Sequence, residues 1–276
     1  MAKRNGADAF LTSILVKPGD APGLDARNPA DKLGLESKDQ AHGLAGELLV
    51  DLAALHDRLW AEATRSVLLV LQGIDASGKD STIRRVLSGL NPQGCHVVGF
   101  KAPDDGEKAH DYLWRVHAAC PPRGRLGVFN RSHYEDVVAA RLVRAASPEQ
   151  CRLRYRHLRE FERMLTDEGT TVVKVFLHIS KEEQRIRFQE RIDNPEKRWK
   201  FREGDLDVRE RWDEYGAVYE EVITETSTDL APWLVVPSDR KWVRDLAVAT
   251  MLVTTLRRLD PRFPALDPAF DGLVIT

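Results

Sequence analysis

The stretch VLLVLQGIDASGKDST, Val67 to Thr82, carries Gly73, Gly78 and Lys79 at the spacing G-x-x-x-x-G-K. Glycines at that spacing let a turn aim its backbone N–H groups inward. The helix that follows offers its positive N-terminus, and the lysine adds a mobile cation, a combination that cradles phosphate. Gly73, Ala76, Ser77, Gly78, Asp80 and Ser81 are therefore the candidate phosphate contacts, with Lys79 as the catalytic cation. Two carboxylates complicate the loop. Asp80 stands where such loops normally carry Ser or Thr; it is read either as part of the phosphate site or as a first-turn acid favourable to the helix dipole. Asp75 lies inside the loop, where it repels a polyanion unless a cation sits between them. Mg²⁺ takes one or two carboxylates and completes its shell with phosphate and water oxygens. Asp75 is thus the candidate metal-holding and catalytic residue, the alternative being a plain turn former.

A second chemical stretch is GVFNRSHYEDV, residues 127 to 137. Where a Walker-type Asp normally holds Mg²⁺ stands Asn130, which supplies no charge but still binds a phosphate-bound water or oxygen. Arg131 follows at once, and at a strand's carboxyl end its planar fork is placed to clamp phosphate. Glu135 and Asp136 fall in the next helix, where stabilisation of the helix N-terminus is the competing account.

Two basic segments remain. Arg152, Arg156, Arg159 and Arg163 form one stripe of one helix, a solvated face with Glu160 and Glu162 as nearby partners. Residues 181 to 202 hold eight bases against five acids and include DNPEKRWKF. This segment reads as a flap that closes over phosphates and excludes water, with Arg187, Arg191, Lys197 and Arg198 as its candidate phosphate ligands. Trp199, Phe201, Trp212 and Tyr215 either stack a purine or pack the flap against its base, and packing is favoured.

The elements that must hold these residues follow from hydrophobic periodicity. Apolar runs at 67–72, 95–100, 126–130, 172–179 and 233–237 predict five strands. Leu48, Leu49, Leu52, Leu55 and Leu59 predict an amphipathic helix from Gly46 to just before Ser66, and further helices are expected near 79–89, 107–118, 133–144, 148–167, 181–193, 207–226 and 241–259. Such alternation implies an α/β fold: a five-stranded parallel sheet with helices on both faces, its ligands at the carboxyl ends of the strands. Residues 1–44, rich in Gly, Pro and Asp, are expected to form an extended arm. Residues 45–276 form one domain carrying a lid segment at about 181–215.

With 276 residues and 42% apolar side chains the chain can bury one large core. Its net charge of −2 provides no global field for nucleic acid, so a polyanion site must be a local basic patch. Cys95, Cys120 and Cys151 form no CxxC pair, which suits a reduced, cytoplasmic protein. The segment AFLTSILV runs into Pro18 and Asp20 and reads as a surface arm rather than an export signal. No apolar run approaches the roughly 20 residues needed to cross a bilayer.

Taken together, LQGIDASGKDST, NPQGCHV, GVFNRSHYEDV, NPEKRWKF and APWLVVPSDRKWVRDLAV resemble the polyphosphate kinase 2 family, from about residue 30 to the C-terminus. The resemblance implies a P-loop kinase core similar to thymidylate kinase, a helical lid, Mg²⁺, and phosphoryl transfer between inorganic polyphosphate and a purine nucleotide. Asp75 and Lys79 match the family's loop acid and lysine, and Arg131 its strand-end arginine. Asn130, Ser132 and Glu135, around Arg131, are the expected nucleotide-binding residues. Many members have Asp before that arginine and Asn near the position of Glu135. The departure here resembles class III, whose members phosphorylate both AMP and ADP, and no metal role is carried over to Asn130. The implied partners are polyphosphate, AMP, ADP and ATP, with guanine nucleotides as further candidates, in a homo-oligomer that binds neither nucleic acid nor membrane. An ATP-dependent nucleotide kinase on the same fold and a non-catalytic polyanion-binding module are the competing readings. A GTPase switch is disfavoured because no N-K-x-D motif occurs.

Overall fold

The computed structural model describes residues 10–144 and 146–275. Its centre is strand β2 (Ser66–Gln72), whose seven residues are all buried. Continuous burial on both faces is what a near-unbroken apolar run demands of a parallel strand. Leu68 and Val70 face one hydrophobic cluster, whereas Val67, Leu69 and Leu71 face the other. The first cluster takes residues from helices α5 (Glu135–Leu142), α6 (Pro148–Asp167) and α9 (Trp212–Thr226); the second takes them from α1 (Lys38–Glu62), α2 (Lys79–Val86) and α10 (Lys241–Leu259). The sheet is therefore covered on both sides.

With β1 (Leu15–Val16), β3 (Cys95–Gly99), β4 (Leu126–Asn130), β5 (Thr170–His178) and β6 (Trp233–Pro237), the strand order is β1-β6-β5-β2-β4-β3. Every pairing is parallel except that of β1 with β6. Among the described residues the sheet thus has six strands where five were expected. The extra strand comes from the segment read as a surface arm. Ile14 and Val16 are buried there, and Ser227 Oγ donates to the Val16 carbonyl at 2.6 Å. Two residues are too short to leave a periodic signal, which explains the miss.

Three helices depart from expectation at their ends. Helix α1 begins at Lys38, eight residues before Gly46, because Ser37 caps it by accepting from the Gln40 N–H. The helix expected near 107–118 is two short ones, α3 (Asp105–Lys108) and α4 (Trp114–Ala118); the Asp111 side chain accepts from Leu113 N at 2.9 Å and restarts the chain. The helix expected near 207–226 breaks at Arg211 into α8 (Gly204–Glu210) and α9. Helix α7 (Lys181–Asp193) leads from β5 into the segment expected to act as a lid.

The strand order places β2 between β4 and β5. Leu71 of β2 pairs in register with Asn130 of β4, so the two chemically loaded turns leave the sheet side by side at the carboxyl ends of adjacent strands.

Candidate active site

The phosphate loop runs from Gly73 to the first residue of α2, Lys79. Its glycines are required by space as well as by dihedral. A Cβ on Gly73 would lie 2.7 Å from the Leu177 carbonyl oxygen, and one on Gly78 (φ +107°) 1.9 Å from Arg244 Nη1. Ala76 adopts the left-handed region at φ +69°, as does Arg131 at +63° on the neighbouring turn. A left-handed conformation in a non-glycine residue costs of order 1–3 kcal/mol and persists only where the surrounding structure over-determines it.

These turns bring the sequence candidates together. Arg131 Nη2 donates to Asp75 Oδ1 at 2.8 Å. Lys79 is buried and folds back so that Nζ donates to the Gly73 carbonyl at 2.6 Å. Burial alone would raise the Asp75 carboxyl, but Lys79 and Arg131 outweigh it and hold the group below the usual carboxylate range. Burial depresses Lys79 against the opposing pull of Asp75. For Glu135 burial wins over Arg131 and Lys79, and its carboxyl is raised. Asn130 Nδ2 donates to Asp80 Oδ1 at 2.6 Å, while the other oxygen of Asp80 lies 3.7 Å from Lys200 of the lid. Asp80 thus ties the strand end to the lid as well as favouring the dipole of α2. Ser81 Oγ donates to the Gly78 carbonyl at 2.9 Å.

Two expected ligands are committed elsewhere. Ser132 is fully buried beneath the turn; with the Gln72 amide oriented to satisfy its neighbours, Ser132 Oγ bonds Gln72 at 3.0 Å, and it accepts from Tyr134 N at 3.2 Å. It shapes the turn from below instead of facing a nucleotide. In the same orientation Gln72 donates to Glu135 Oε1 at 3.0 Å. Arg187 is also buried, and every N–H of its guanidinium is used by the protein itself: Nε on Glu183, Nη1 on the carbonyls of Ala76 and Ser77, Nη2 on those of Ser238 and Asp239. It therefore does not belong with the lid's open cations. Arg191 lies 3.8 Å from Asp205 and over the Phe188 ring, with its charge felt at Asp75. Lys197 and Arg198 are exposed.

Most of the lid aromatics pack. Phe201 meets Phe188 edge-on at 5.8 Å, and Trp212 and Tyr215 lie against the core. Trp199 is 74% exposed and turned to solvent. The arginine stripe of α6 is solvated as expected, with Arg152 on Glu149 and Arg163 near Asp167. Glu162 does not join it. That residue is buried on Lys174 (2.7 Å), Tyr134 (2.7 Å) and His133 (3.2 Å), directly under the Arg131 turn. The signal was a lysine inside the apolar run VVKVFLH. Gln184 and Arg244 were likewise missed; Arg244, between Val243 and Asp245, is buried and pairs with Asp245 at 2.7 Å.

Residues 35–264 match the family described as Polyphosphate kinase 2 (PPK2). An AMP/ADP-polyphosphate phosphotransferase of Meiothermus ruber is 53% identical over 224 residues, 81% of this chain and 84% of that protein. An ADP-polyphosphate phosphotransferase of Rhodopseudomonas palustris is 44% identical over 246 residues, 85% of each chain. The crystal structure of polyphosphate kinase 2 from Arthrobacter aurescens TC1 superposes with a TM-score of 0.90 at 38% identity, covering 95% of this chain and 94% of that one. A P-loop kinase fold with a lysine, an arginine and a carboxylate converging on one phosphate loop defines a phosphotransferase class. Within that class, the chain belongs to the polyphosphate kinase 2 family.

Proposed function

We propose that this protein transfers phosphoryl groups reversibly between inorganic polyphosphate and purine nucleotides, taking AMP to ADP and ADP to ATP. The observation that carries the reading is the carboxylate of Asp75, set inside a phosphate loop and ion-paired at 2.8 Å with Arg131 from the adjoining strand end. Family membership and the names of the similar proteins support the choice of substrates. A GDP-polyphosphate phosphotransferase of Mycolicibacterium smegmatis, 34% identical, keeps guanine nucleotides among the candidates.

In the forward step a phosphate oxygen of AMP attacks the terminal phosphorus of polyphosphate. One P–O bond forms as the bond to the chain breaks, and the polymer leaves one residue shorter. Lys79 and Arg131 stabilise the charge spread over the transferring oxygens, for which positioned cations are the main resource in phosphoryl transfer. Asn130 and Glu135, beside Arg131, are assigned to the nucleotide by their place next to that arginine.

The donor chemistry fits a hard divalent cation. Asp75 supplies an oxygen, its depressed pKa keeps it ionised, and one or two carboxylates suffice when phosphates complete the shell. Among the described residues no larger cluster of His, Cys, Asp or Glu gathers for a metal. Four buried polar atoms around the loop, Ser77 Oγ, Thr82 Oγ1, Gln184 Oε1 and Arg244 Nη1, have no hydrogen-bond partner in the protein, which also marks the loop as a site to be filled. Asp75 would hold Mg²⁺ there, and the ion when bound would neutralise charge between two polyanions. The thiols of Cys95, Cys120 and Cys151 are free, in keeping with a reducing cytoplasm. No helix among the described residues is long and apolar enough to cross a membrane.

The test is formation of ADP and ATP from AMP and long-chain polyphosphate with Mg²⁺, compared with AMP and ATP alone. Product from polyphosphate supports the reading. Activity confined to the ATP donor replaces it with an ATP-dependent kinase.

A further inference from the structure

Three consecutive carbonyls of the phosphate loop are capped from one helix. Gln184 Nε2 donates to the Asp75 carbonyl at 3.1 Å, and Arg187 Nη1 donates to those of Ala76 at 2.8 Å and Ser77 at 2.9 Å. Gln184 and Arg187 lie three residues apart on α7, hence on one face. Both are buried. Helix α7 is itself anchored: its capping residue Ser180 donates its N–H to Asp239 Oδ1 at 2.8 Å, and Arg187 reaches the Ser238 and Asp239 carbonyls of the same turn.

The geometry of the peptide group gives this capping a consequence. Among the described residues no peptide is cis, and in a trans peptide C=O and N–H point in opposite directions. Holding the carbonyls of Asp75, Ala76 and Ser77 toward α7 turns the N–H groups of Ala76, Ser77 and Gly78 to the other side. The Ser77 N–H closes the turn on Ile74 at 3.0 Å. The N–H groups of Ala76 and Gly78 then form, with Lys79, a concave set of donors of the kind that binds anions. The left-handed conformation at Ala76, unfavourable without support, sits between two capped carbonyls.

We propose that Gln184 and Arg187 are positioning residues for phosphoryl transfer: they touch no phosphate, but they clamp the loop's carbonyls from behind and so aim its N–H groups. This rests on the phosphotransferase reading above. It also makes α7, the first helix of the lid, part of the loop's own support.

The variants are Arg187→Ala, Arg187→Lys and Gln184→Leu, each checked for folding by circular dichroism and melting temperature. Arg187→Ala is expected to lower kcat by about a hundredfold, the scale of a small misplacement of reacting groups. Added guanidinium, at a concentration that leaves the wild type unaffected, restores part of that activity. Arg187→Lys, which cannot reach all the carbonyls, falls between. Gln184→Leu lowers affinity for inorganic triphosphate in calorimetry. A merely structural role predicts a lower melting temperature with kcat of the folded protein unchanged and no response to guanidinium, and that result overturns the proposal. Should Arg187→Ala fail to fold, Gln184→Leu decides alone: wild-type triphosphate affinity and kcat refute the clamp. If the wild type makes no ADP from polyphosphate, the functional reading fails. The triphosphate affinities of wild type and variants still test whether the loop is positioned from behind.

Discussion

Asp75 is an acid that Lys79 and Arg131 keep ionised, so its charge serves the fold as well as the site. Asp75→Asn keeps the side-chain shape and removes the charge. It is expected to abolish phosphoryl transfer in steady-state assays of the folded protein, with a lowered melting temperature because Lys79 and Arg131 lose their counter-charge; near-wild-type turnover would remove the metal-holding role. Lys79→Ala and Arg131→Ala should each lower kcat by about 10²–10³, the loss typical of one transition-state donor. A rise in KM alone would assign them to ground-state binding. Beneath them, the pair of Lys174 and Glu162 is fully buried. Lys174→Met leaves the Glu162 carboxylate without its main counter-charge, a change that costs about 3–5 kcal/mol in buried pairs and is read by denaturant unfolding. Burial alone would raise Glu162, yet Lys174 and the His133 hydrogen bond outweigh it, so the folded pKa lies below the ordinary one. The sign follows. The stabilisation is present above the ordinary glutamate value of about 4.3 and is lost as pH falls through the depressed folded value. Acid unfolding of the wild type should show this loss below about pH 4, and Glu162→Gln should lack it.

Among the elements, the five parallel strands and helices α6, α7 and α10 were legible from their hydrophobic period. Helices α6, α7 and α10 have the expected bounds, and α6 opens with a capping box from Ser147 and Gln150. The phosphate loop and the strand-end arginine were legible for a related reason, since glycine spacing and strand ends are local properties. Whether a basic residue faces solvent or its own backbone is not local. Arg187 and Arg191 lie one helical turn apart, and only the packing of α7 against the phosphate loop decides that Arg187 is a strut and Arg191 half-open. Of the lid cations expected to bind phosphate, Arg191, Lys197 and Arg198 remain, and Lys200 beside Asp80 joins them. Replacing all four by Gln should weaken polyphosphate binding and flatten its salt dependence, by analogy with counterion release from nucleic acid, with nucleotide affinity less affected. Calorimetry at several salt concentrations checks it. An unchanged slope would remove the lid as the polymer's binding surface.

At the scale of the molecule, the segment before α1 is fastened to distant parts of the chain. The Glu220 carboxylate accepts from the N–H groups of Gly23 (2.8 Å) and Leu24 (2.9 Å), and Asp239 N donates to the Pro29 carbonyl at 3.1 Å. Strand β1 covers the edge of β6, which would otherwise present unpaired backbone groups to other molecules. Deleting residues through Arg27 is therefore expected to lower the melting temperature and increase aggregation; light scattering on heating would check it. A deletion variant as soluble and stable as the full chain would show that the strand protects nothing. The same pairing carries a cost in time. Ser227, which holds the Val16 carbonyl, lies 211 residues further along the chain. At about 5–20 residues per second, β1 leaves the ribosome on the order of ten to forty seconds before its partner exists. Strand β1, the first of the described strands to be made, is thus the last of them that can be placed, and until then its apolar Ile14 and Val16 are exposed to whatever the nascent chain meets.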